Sequence, residues 1–359
     1  MTQPLGFKKL LSLNTLLLFG AIAVALRLSD GDDVAIFAAS ALAIVPLAGL
    51  IGQATEEIAA RVGPQLGGLL NATLGNAAEL IITIFALKEG LLELVRASII
   101  GSVLGNLLLV MGLAIFLGGL RHGIQVFERR QASMNATLLI LAFMALAIPS
   151  LFDHTFVESR EFESELLLSE GIALILIALY AANIVYSLLR GGAADEAHHH
   201  EPRWSVPVAV GVLAFATAGI VVMSEFLVGT VEPVVEQLGW SELFVGVIIV
   251  PIIGNVAEHL VAVQVALKNR MELSMAIALG SSLQIALFVA PVLVFVSLLF
   301  EEKLILAFTL PEIIALAAAS YVAALVAEDG ESNWLEGLML LAVYVIVALA
   351  FFLLPEAHV

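Results

Sequence analysis

Long, uninterrupted apolar runs are the feature that most limits how this chain can fold. About 20 apolar residues suffice to span a bilayer as a helix, and windows of that kind follow one another along the 359 residues. They cover residues 8–28, 33–60, 66–88, 93–119, 131–152, 166–190, 205–236, 241–268, 272–299, 305–327 and 333–354. Backbone groups in lipid must be satisfied within the segment, and the runs do not alternate with polar residues, so helices are predicted rather than barrel strands.

Composition supports the same interpretation. Hydrophobic residues make up 61% of the chain, against about half in a soluble domain. We therefore predict an all-α integral membrane protein with about 11 transmembrane helices, whose surroundings are the lipid bilayer.

Charge and motif content exclude several functions. The formal net charge of −17 argues against a nucleic-acid partner. The chain has no cysteine, which excludes disulfides and thiolate metal sites. Neither an H-E-x-x-H nor a G-x-S-x-G phrase occurs, so an intramembrane enzyme is disfavoured. No cofactor is expected.

The distribution of lysine and arginine predicts an orientation. The first apolar run resembles a secretory signal, but a retained first helix is favoured because many spans follow it. With the N-terminus inside, ten Lys and Arg residues fall on inside segments and five on outside segments. This bias favours a cytoplasmic N-terminus and an external C-terminus. Residues 153–165 would then form a solvated, acidic outer loop.

The sequence repeats itself at a distance of 179 positions. "GNAAEL" begins at Gly75 and "GNVAEH" at Gly254. The same offset carries Glu93–Leu94 onto Glu272–Leu273 and Gly101–Ser102 onto Gly280–Ser281. Five predicted helices separate the copies, and an odd number reverses the second copy in the membrane. We therefore predict two repeats of inverted topology, an arrangement common in secondary transporters.

The repeat divides the chain into four parts. Residues 1–30 form an N-terminal helix, and residues 31–190 form the first five-helix repeat. Residues 191–204 form a polar cytoplasmic linker, and residues 205–359 form the second five-helix repeat. The linker contains three histidines, His198–His200, and adventitious metal binding is the simpler explanation for such a short tract.

Each copy of the repeat places one glutamate near the middle of a span, Glu79 in the first and Glu258 in the second. A carboxylate at that depth costs a few kcal/mol or more unless it is paired, hydrated or protonated. Inverted symmetry would bring the two together, where protons or one divalent metal ion could neutralise them. That competition is the physical basis of cation/proton antiport.

The neighbouring residues provide oxygen ligands. Asn76 and Asn255 lie one helical turn before the two glutamates, each directly after a glycine that could loosen the helix. Calcium prefers six to eight hard oxygens, and the absence of soft ligands disfavours copper and iron–sulfur chemistry. Ser281 and Gln284 share a helix face; they either line the site or serve helix packing.

Three further polar residues receive other interpretations. Glu56 and Glu225 lie near the ends of the helices that precede the two motifs, where they could escort cations or form a surface rim. His259 follows Glu258 but points about 100° away around a helix, so packing is its expected role.

Three segments resemble the signature regions of the calcium/proton exchangers, the CAX branch of the calcium/cation antiporter superfamily. They are "PLAGLIGQATEEIA" (Pro46–Ala59), "GGLLNATLGNAAELIITIFALKEG" (Gly67–Gly90) and "GNVAEHLVAVQVALKNR" (Gly254–Arg270). The resemblance covers nearly the whole chain: an extra first helix, two five-helix inverted repeats and a central linker. The short linker, with only three acids, resembles prokaryotic plasma-membrane members more than vacuolar ones.

The resemblance implies roles for particular residues. Glu79 and Glu258 match the glutamates that bind the metal ion and the protons. Asn76, Asn255, Ser281 and Gln284 match polar residues beside them. Glu56 and Glu225 match acidic residues on two helices whose tilting alternates access. The implied substrates are Ca2+ and protons, and a homo-oligomer is left open.

Two alternatives remain at this point. One is a sodium-coupled exchanger of the same superfamily. Such exchangers carry a phrase similar to Gly-Thr-Ser-x-Pro-Glu at the motif positions, whereas this chain has Asn and Ala there, which disfavours this alternative. A passive cation channel is less favoured, because a pore usually requires a ring of groups from several subunits.

Overall fold

The computed structural model describes residues 15–62, 64–159, 162–190 and 203–354. The start of the predicted first span, the three histidines and most of the predicted linker lie outside these residues.

The described chain is almost entirely helical. In the first half the helices are α1 Leu17–Leu28, α2 Asp33–Val62, α3 Pro64–Leu74, α4 Ala77–Lys88, α5 Leu92–His122, α6 Arg129–Ser159 and α7 Phe162–Arg190. In the second half they are α8 Val206–Val228, α9 Val231–Leu238, α10 Glu242–Ala266, α11 Met271–Ser297, α12 Leu310–Asp329 and α13 Trp334–Leu353.

Each predicted apolar window contains helix. Within the described residues, nine helices are individually long and apolar enough to cross a membrane: α2, α5–α8 and α10–α13. The α3 and α4 helices, of 11 and 12 residues, together cover the predicted window 66–88. The all-α membrane fold is thus confirmed.

Two predicted boundaries are wrong. The window 205–236 is not one span: α8 ends at Val228, and after Gly229 and Thr230 the short α9 begins. This helix carries Glu232 and Glu236, so it has a polar side. The predicted outer loop 153–165 is largely helical, because α6 continues to Ser159 and α7 begins at Phe162.

An extended segment replaces the start of the predicted window 305–327. Three of its backbone N–H groups donate to serine hydroxyls: Leu304 N to Ser297 Oγ (2.9 Å), Leu306 N to Ser169 Oγ (3.2 Å) and Phe308 N to Ser150 Oγ (2.7 Å). Buried backbone groups outside a helix need such partners. Pro311 and a capping box between Thr309 and Glu312 then begin α12.

The packing places α5 and α11 at the centre of the bundle. Within the apolar windows of these helices 83% and 67% of residues are buried, against 22% in α8 and α13. Around them the halves are interleaved: α2 contacts α10, and α8 contacts α4. The α2 and α8 helices also pack against each other. Each half therefore supplies a long helix that touches the motif helix of the other half.

Three short π-helical stretches interrupt the central helices, at Gly105–Val110 in α5, Val245–Ile249 in α10 and Ile285–Val289 in α11. Such widened turns occur mostly as single insertions and frequently near functional sites. Pro251 and Pro291 follow two of them within two residues, and proline lacks the N–H that would continue the regular bonding. A two-residue pairing of β1 Gln125–Val126 with β2 Glu331–Ser332 joins the segments that follow α5 and α12.

Candidate cation site

The two halves arrange the Gly-Asn motif differently. In the first half the chain leaves the helix at Gly75 and Asn76, between α3 and α4, and Asn76 takes the N-cap position with a non-helical backbone. In the second half Gly254 and Asn255 lie inside the continuous α10. A loosened backbone, expected at both glycines, is therefore found only at the first. The second half is instead distorted earlier, at the π-helical turn before Pro251.

Glu79 lies in the first turn of α4 and is 1% exposed. The hydroxyl of Ser102, on α5, donates a hydrogen bond to its Oε1 atom. From the other half, Asn255 Nδ2 lies 3.4 Å from Glu79 Oε2 and 3.2 Å from Ser102 Oγ. The same amide nitrogen lies 3.2 Å from the carbonyl of Pro251, which fixes its orientation. Glu79 is thus held by neutral donors from both halves.

Glu258 has fewer partners. Ser281, on α11, lies beside its carboxylate. Its Oε2 atom is buried and finds no hydrogen-bond partner among the described residues. Its Oε1 atom lies against Gly75 of the first half. A buried, unpartnered carboxylate oxygen is costly, and a proton, a water molecule or a metal ion would offset that cost.

A second group of contacts joins the halves beside Glu258. Asn76 Nδ2 donates to Gln284 Oε1 at 2.6 Å, and Ser281 Oγ lies 3.5 Å from Asn76 Oδ1. Asn106 Nδ2, on α5, donates to Ser281 Oγ at 3.0 Å. Every one of these bonds runs between a first-half and a second-half residue, so the polar cluster lies between the halves.

The contacts around the two glutamates repeat. Ser102 follows Glu79 by 23 positions, and Ser281 follows Glu258 by the same number. Ser102 hydrogen-bonds Glu79, and Ser281 lies beside Glu258. The asparagine of each motif reaches across to the serine of the other half, Asn255 to Ser102 and Asn76 to Ser281.

The structure brings six of the eight candidate residues into this cluster: Glu79, Glu258, Asn76, Asn255, Ser281 and Gln284. The other two, Glu56 on α2 and Glu225 on α8, have exposed side chains on the paired outer helices. Their assignment as escorts of cations stays a prediction.

Two residues of the cluster, Ser102 and Asn106, are absent from the sequence-based set. The repeat offset contains a signal for Ser102, since it maps onto Ser281. It contains none for Asn106, which maps onto Ile285. The Nε2 atom of His259 is buried and has no hydrogen-bond partner in the part of the chain that the structure describes. This nitrogen therefore makes no hydrogen bond to the cluster.

The chemistry of the cluster favours a hard cation. Its potential ligands are two carboxylates, four amide oxygens and two hydroxyls. Nowhere in the described ranges do three or more His, Cys, Asp or Glu residues gather in a way that could hold a metal ion. A cation here would depend on two charged groups and several neutral oxygens, a set that suits an ion such as Ca2+.

A bundle of membrane-spanning helices, with two glutamates held between interleaved halves, defines a secondary membrane transporter. The chain belongs to the sodium/calcium exchanger protein family, whose sequence model matches residues 33–189 and 208–353.

Similar proteins come from bacteria. The Ca2+/H+ antiporter ChaA of Bacillus subtilis is 50% identical over 327 residues, covering 89% of this chain and 92% of its own. The Ca2+/H+ antiporter of Synechocystis sp. is 45% identical, with 95% and 96% covered. The solved structure of native YfkE superimposes with a TM-score of 0.84 at 45% identity, covering 95% of this chain and all of that one.

Proposed function

We propose that this protein exchanges Ca2+ for protons across a membrane, and that Glu79 and Glu258 bind both substrates in turn. One observation carries the proposal. The two glutamates come from different halves, each lies beside the motif glycine of the other half, and neutral amide and hydroxyl groups surround both. Among the described residues, the side chains that donate hydrogen bonds within this network are all neutral. The names of the relatives support the same substrates.

The mechanism follows from charge balance. Two ionised glutamates between the halves are stable when a divalent cation lies between them or when protons neutralise them. An empty, doubly charged site is costly to close off from water. The protein therefore changes the side to which the site opens only when Ca2+ or protons occupy it. Exchange, rather than independent flux of either ion, is the result.

The hydroxyls adapt to both occupants. With Glu79 ionised, Ser102 donates to its carboxylate. With Glu79 protonated, the carboxyl becomes the donor and the hydroxyl can accept, since a serine oxygen does both. Ser281 has the same relation to Glu258. The asparagine and glutamine side chains then contribute amide oxygens to a bound Ca2+ and need no change of charge.

We also propose that alternating access arises from two inverted repeats, residues 31–190 and 205–359, joined by the linker 191–204. The division of the family match at residues 189 and 208 supports these boundaries. The α2 helix contacts α10, and α8 contacts α4. These contacts support a mechanism in which tilting of α2 and α8 moves the two helices that carry Glu258 and Glu79. Glu56 and Glu225 on that pair would attract cations toward it.

The proposed setting is a prokaryotic plasma membrane with a cytoplasmic N-terminus and an external C-terminus. The bacterial sources of the relatives support the membrane, and the Lys and Arg bias supports the orientation. With a proton gradient directed into the cell, the protein would expel Ca2+ as protons enter.

Flux measurements in proteoliposomes test the proposal. With an imposed pH gradient and no sodium on either side, Ca2+ should move against the direction of the protons, and an internal pH dye should report the matching proton flux. A requirement for a sodium gradient would replace the proposal with sodium-coupled exchange. Ca2+ flux that proceeds with no proton movement would replace it with a channel.

A further inference from the structure

A shallow cavity of about 490 Å³, open to the surface, lies at one end of the bundle along the start of α6, with Tyr186 of α7 at its side. Its lining consists of Arg129, Arg130, Ser133, Met134, Thr137 and Tyr186. The first five come from the beginning of α6, and Tyr186 comes from the last turns of α7. The cavity lies far from the glutamates in sequence, and none of its residues belongs to the polar cluster described above.

The cavity presents groups that bind anions. Arg130 forms no hydrogen bond or ion pair with the described residues, and the Ser133 hydroxyl is likewise not engaged as a donor. Arg129 approaches Glu328 at 3.6 Å, but both side chains are more than 60% exposed, so water screens that pair. Thr137 uses its proton on the carbonyl of Ser133. Two guanidinium groups and one hydroxyl therefore remain available to a phosphate group.

An apolar surface continues directly from the cavity. On α6, the exposed Leu141, Met144 and Ile148 follow Thr137 at spacings of three or four residues, which puts them on one helix face. On α7, Ile175 is 66% exposed, and Ala182 between it and Tyr186 is also exposed. Both helices are long and apolar enough to cross a membrane, so these faces meet acyl chains.

We propose that this cavity binds the phosphate headgroup of an anionic phospholipid, with the acyl chains lying along the exposed faces of α6 and α7. The arginines are at the ends of the spans, at the depth of lipid headgroups, and tyrosine is common at that level. Basic pockets between transmembrane helices suit such lipids. Inorganic phosphate offers the same headgroup chemistry, but the adjoining apolar faces favour a ligand with chains. The proposal does not depend on which ions the protein exchanges.

Native mass spectrometry of the detergent-purified full chain tests this site. Phosphatidylglycerol, phosphatidylcholine with the same chains, and inorganic phosphate are titrated separately. The protein should have one more tight site for phosphatidylglycerol than for phosphatidylcholine. Excess inorganic phosphate should not displace phosphatidylglycerol from that site. Arg129→Gln with Arg130→Gln should weaken that site about 30-fold, since each basic side chain near an anionic surface contributes a factor of about five.

A matched control removes the same charge elsewhere. Arg121 and Arg270 are exposed and lie outside the cavity, so Arg121→Gln with Arg270→Gln should leave the tight site unchanged. If the double variant at the cavity does not fold, Arg130→Gln and Ser133→Ala are used singly, and each should weaken phosphatidylglycerol binding without changing phosphatidylcholine binding. Equal binding of both lipids, equal losses in the control pair, or displacement by inorganic phosphate would each overturn the proposal.

Discussion

The carboxylate of Glu258 lies directly against Gly75, at the break between α3 and α4. A Cβ atom added at Gly75 would lie 2.9 Å from Glu258 Oε1 and 2.8 Å from the carbonyl oxygen of Asn71. The converse contact is looser, because a Cβ atom at Gly254 would lie 3.5 Å from Glu79 Cβ. Each motif glycine thus faces the glutamate of the other half, but only Gly75 leaves no room for a methyl group.

This difference predicts opposite results for two alanine substitutions. Gly75→Ala should displace the Glu258 carboxylate or the break itself, and raise the Ca2+ concentration for half-maximal exchange about tenfold, or about 1.4 kcal/mol. Gly254→Ala creates ordinary van der Waals contact and should stay within about twofold of the wild type. Proteoliposome flux at several Ca2+ concentrations measures both. Equal effects of the two substitutions would contradict the packing described here.

Removing either site charge should abolish exchange. Glu79→Gln and Glu258→Gln preserve shape and hydrogen-bonding capacity, but neither amide can take up a proton or balance a divalent ion. Glu312→Gln is the matched control, since Glu312 is 2% exposed and uses one oxygen to accept from Thr309. All three variants should elute as folded protein, and only the control should transport. Exchange at the wild-type rate in Glu79→Gln would exclude the two-carboxylate mechanism.

The sequence predicted the membrane fold and most of the polar cluster because both depend on patterns that repeat. Continuous apolar windows predict helices whatever their neighbours are. The 179-residue offset paired Glu79 with Glu258 although they are far apart in the chain. The helix-face argument grouped Ser281 with Gln284, and the structure places both beside Asn76.

Other features depend on local packing and backbone geometry, which the repeated sequence pattern does not reveal. Both halves have the Gly-Asn pair, yet the helix breaks at Gly75 and continues through Gly254, where the distortion moves to Val245–Ile249. Asn106 enters the cluster from a π-helical turn, which changes the direction of side chains relative to a regular helix. The serine hydroxyls that complete the extended segment before α12 come from helices distant in sequence.

Neighbouring serines on α11 provide a sharp comparison. Ser281 lies beside Glu258 and accepts from Asn106, whereas Ser282 donates to the carbonyl of Ala278 in its own helix at 2.9 Å. Ser281→Ala should weaken Ca2+ binding about tenfold, because it removes a hydroxyl oxygen from the site together with the bond from Asn106, and a hydrogen bond contributes about 0.5–1.5 kcal/mol. Ser282→Ala should have little effect on it. Isothermal calorimetry on the purified proteins distinguishes them, and similar affinities in both variants would remove Ser281 from the site.

Glu57 should stabilise the join between the halves. Its Oε2 atom accepts hydrogen bonds from the backbone N–H groups of Arg203 (2.8 Å) and Trp204 (2.9 Å), and Arg61 donates to the carbonyl of Trp204. Glu57→Ala should destabilise the protein by about 1.5–3 kcal/mol and lower the midpoint of thermal unfolding in detergent. Glu236, on α9, is exposed, so Glu236→Ala should change the midpoint little. Equal midpoints for both variants would show that the contact adds no stability.

Gly280 should be needed for movement rather than for folding. Its counterpart in the repeat, Gly101, lies so close to Val247 that an added Cβ would overlap the carbonyl oxygen, whereas a Cβ at Gly280 would meet nothing within 4 Å. If the halves exchange roles during transport, the space beside Gly280 must close as the space beside Gly101 opens. Gly280→Leu should therefore leave thermal unfolding nearly unchanged and slow exchange at least about tenfold, or about 1.4 kcal/mol. Gly171→Leu, at another open glycine on α7, should affect neither. Wild-type flux in Gly280→Leu would mean that this side of the bundle never closes.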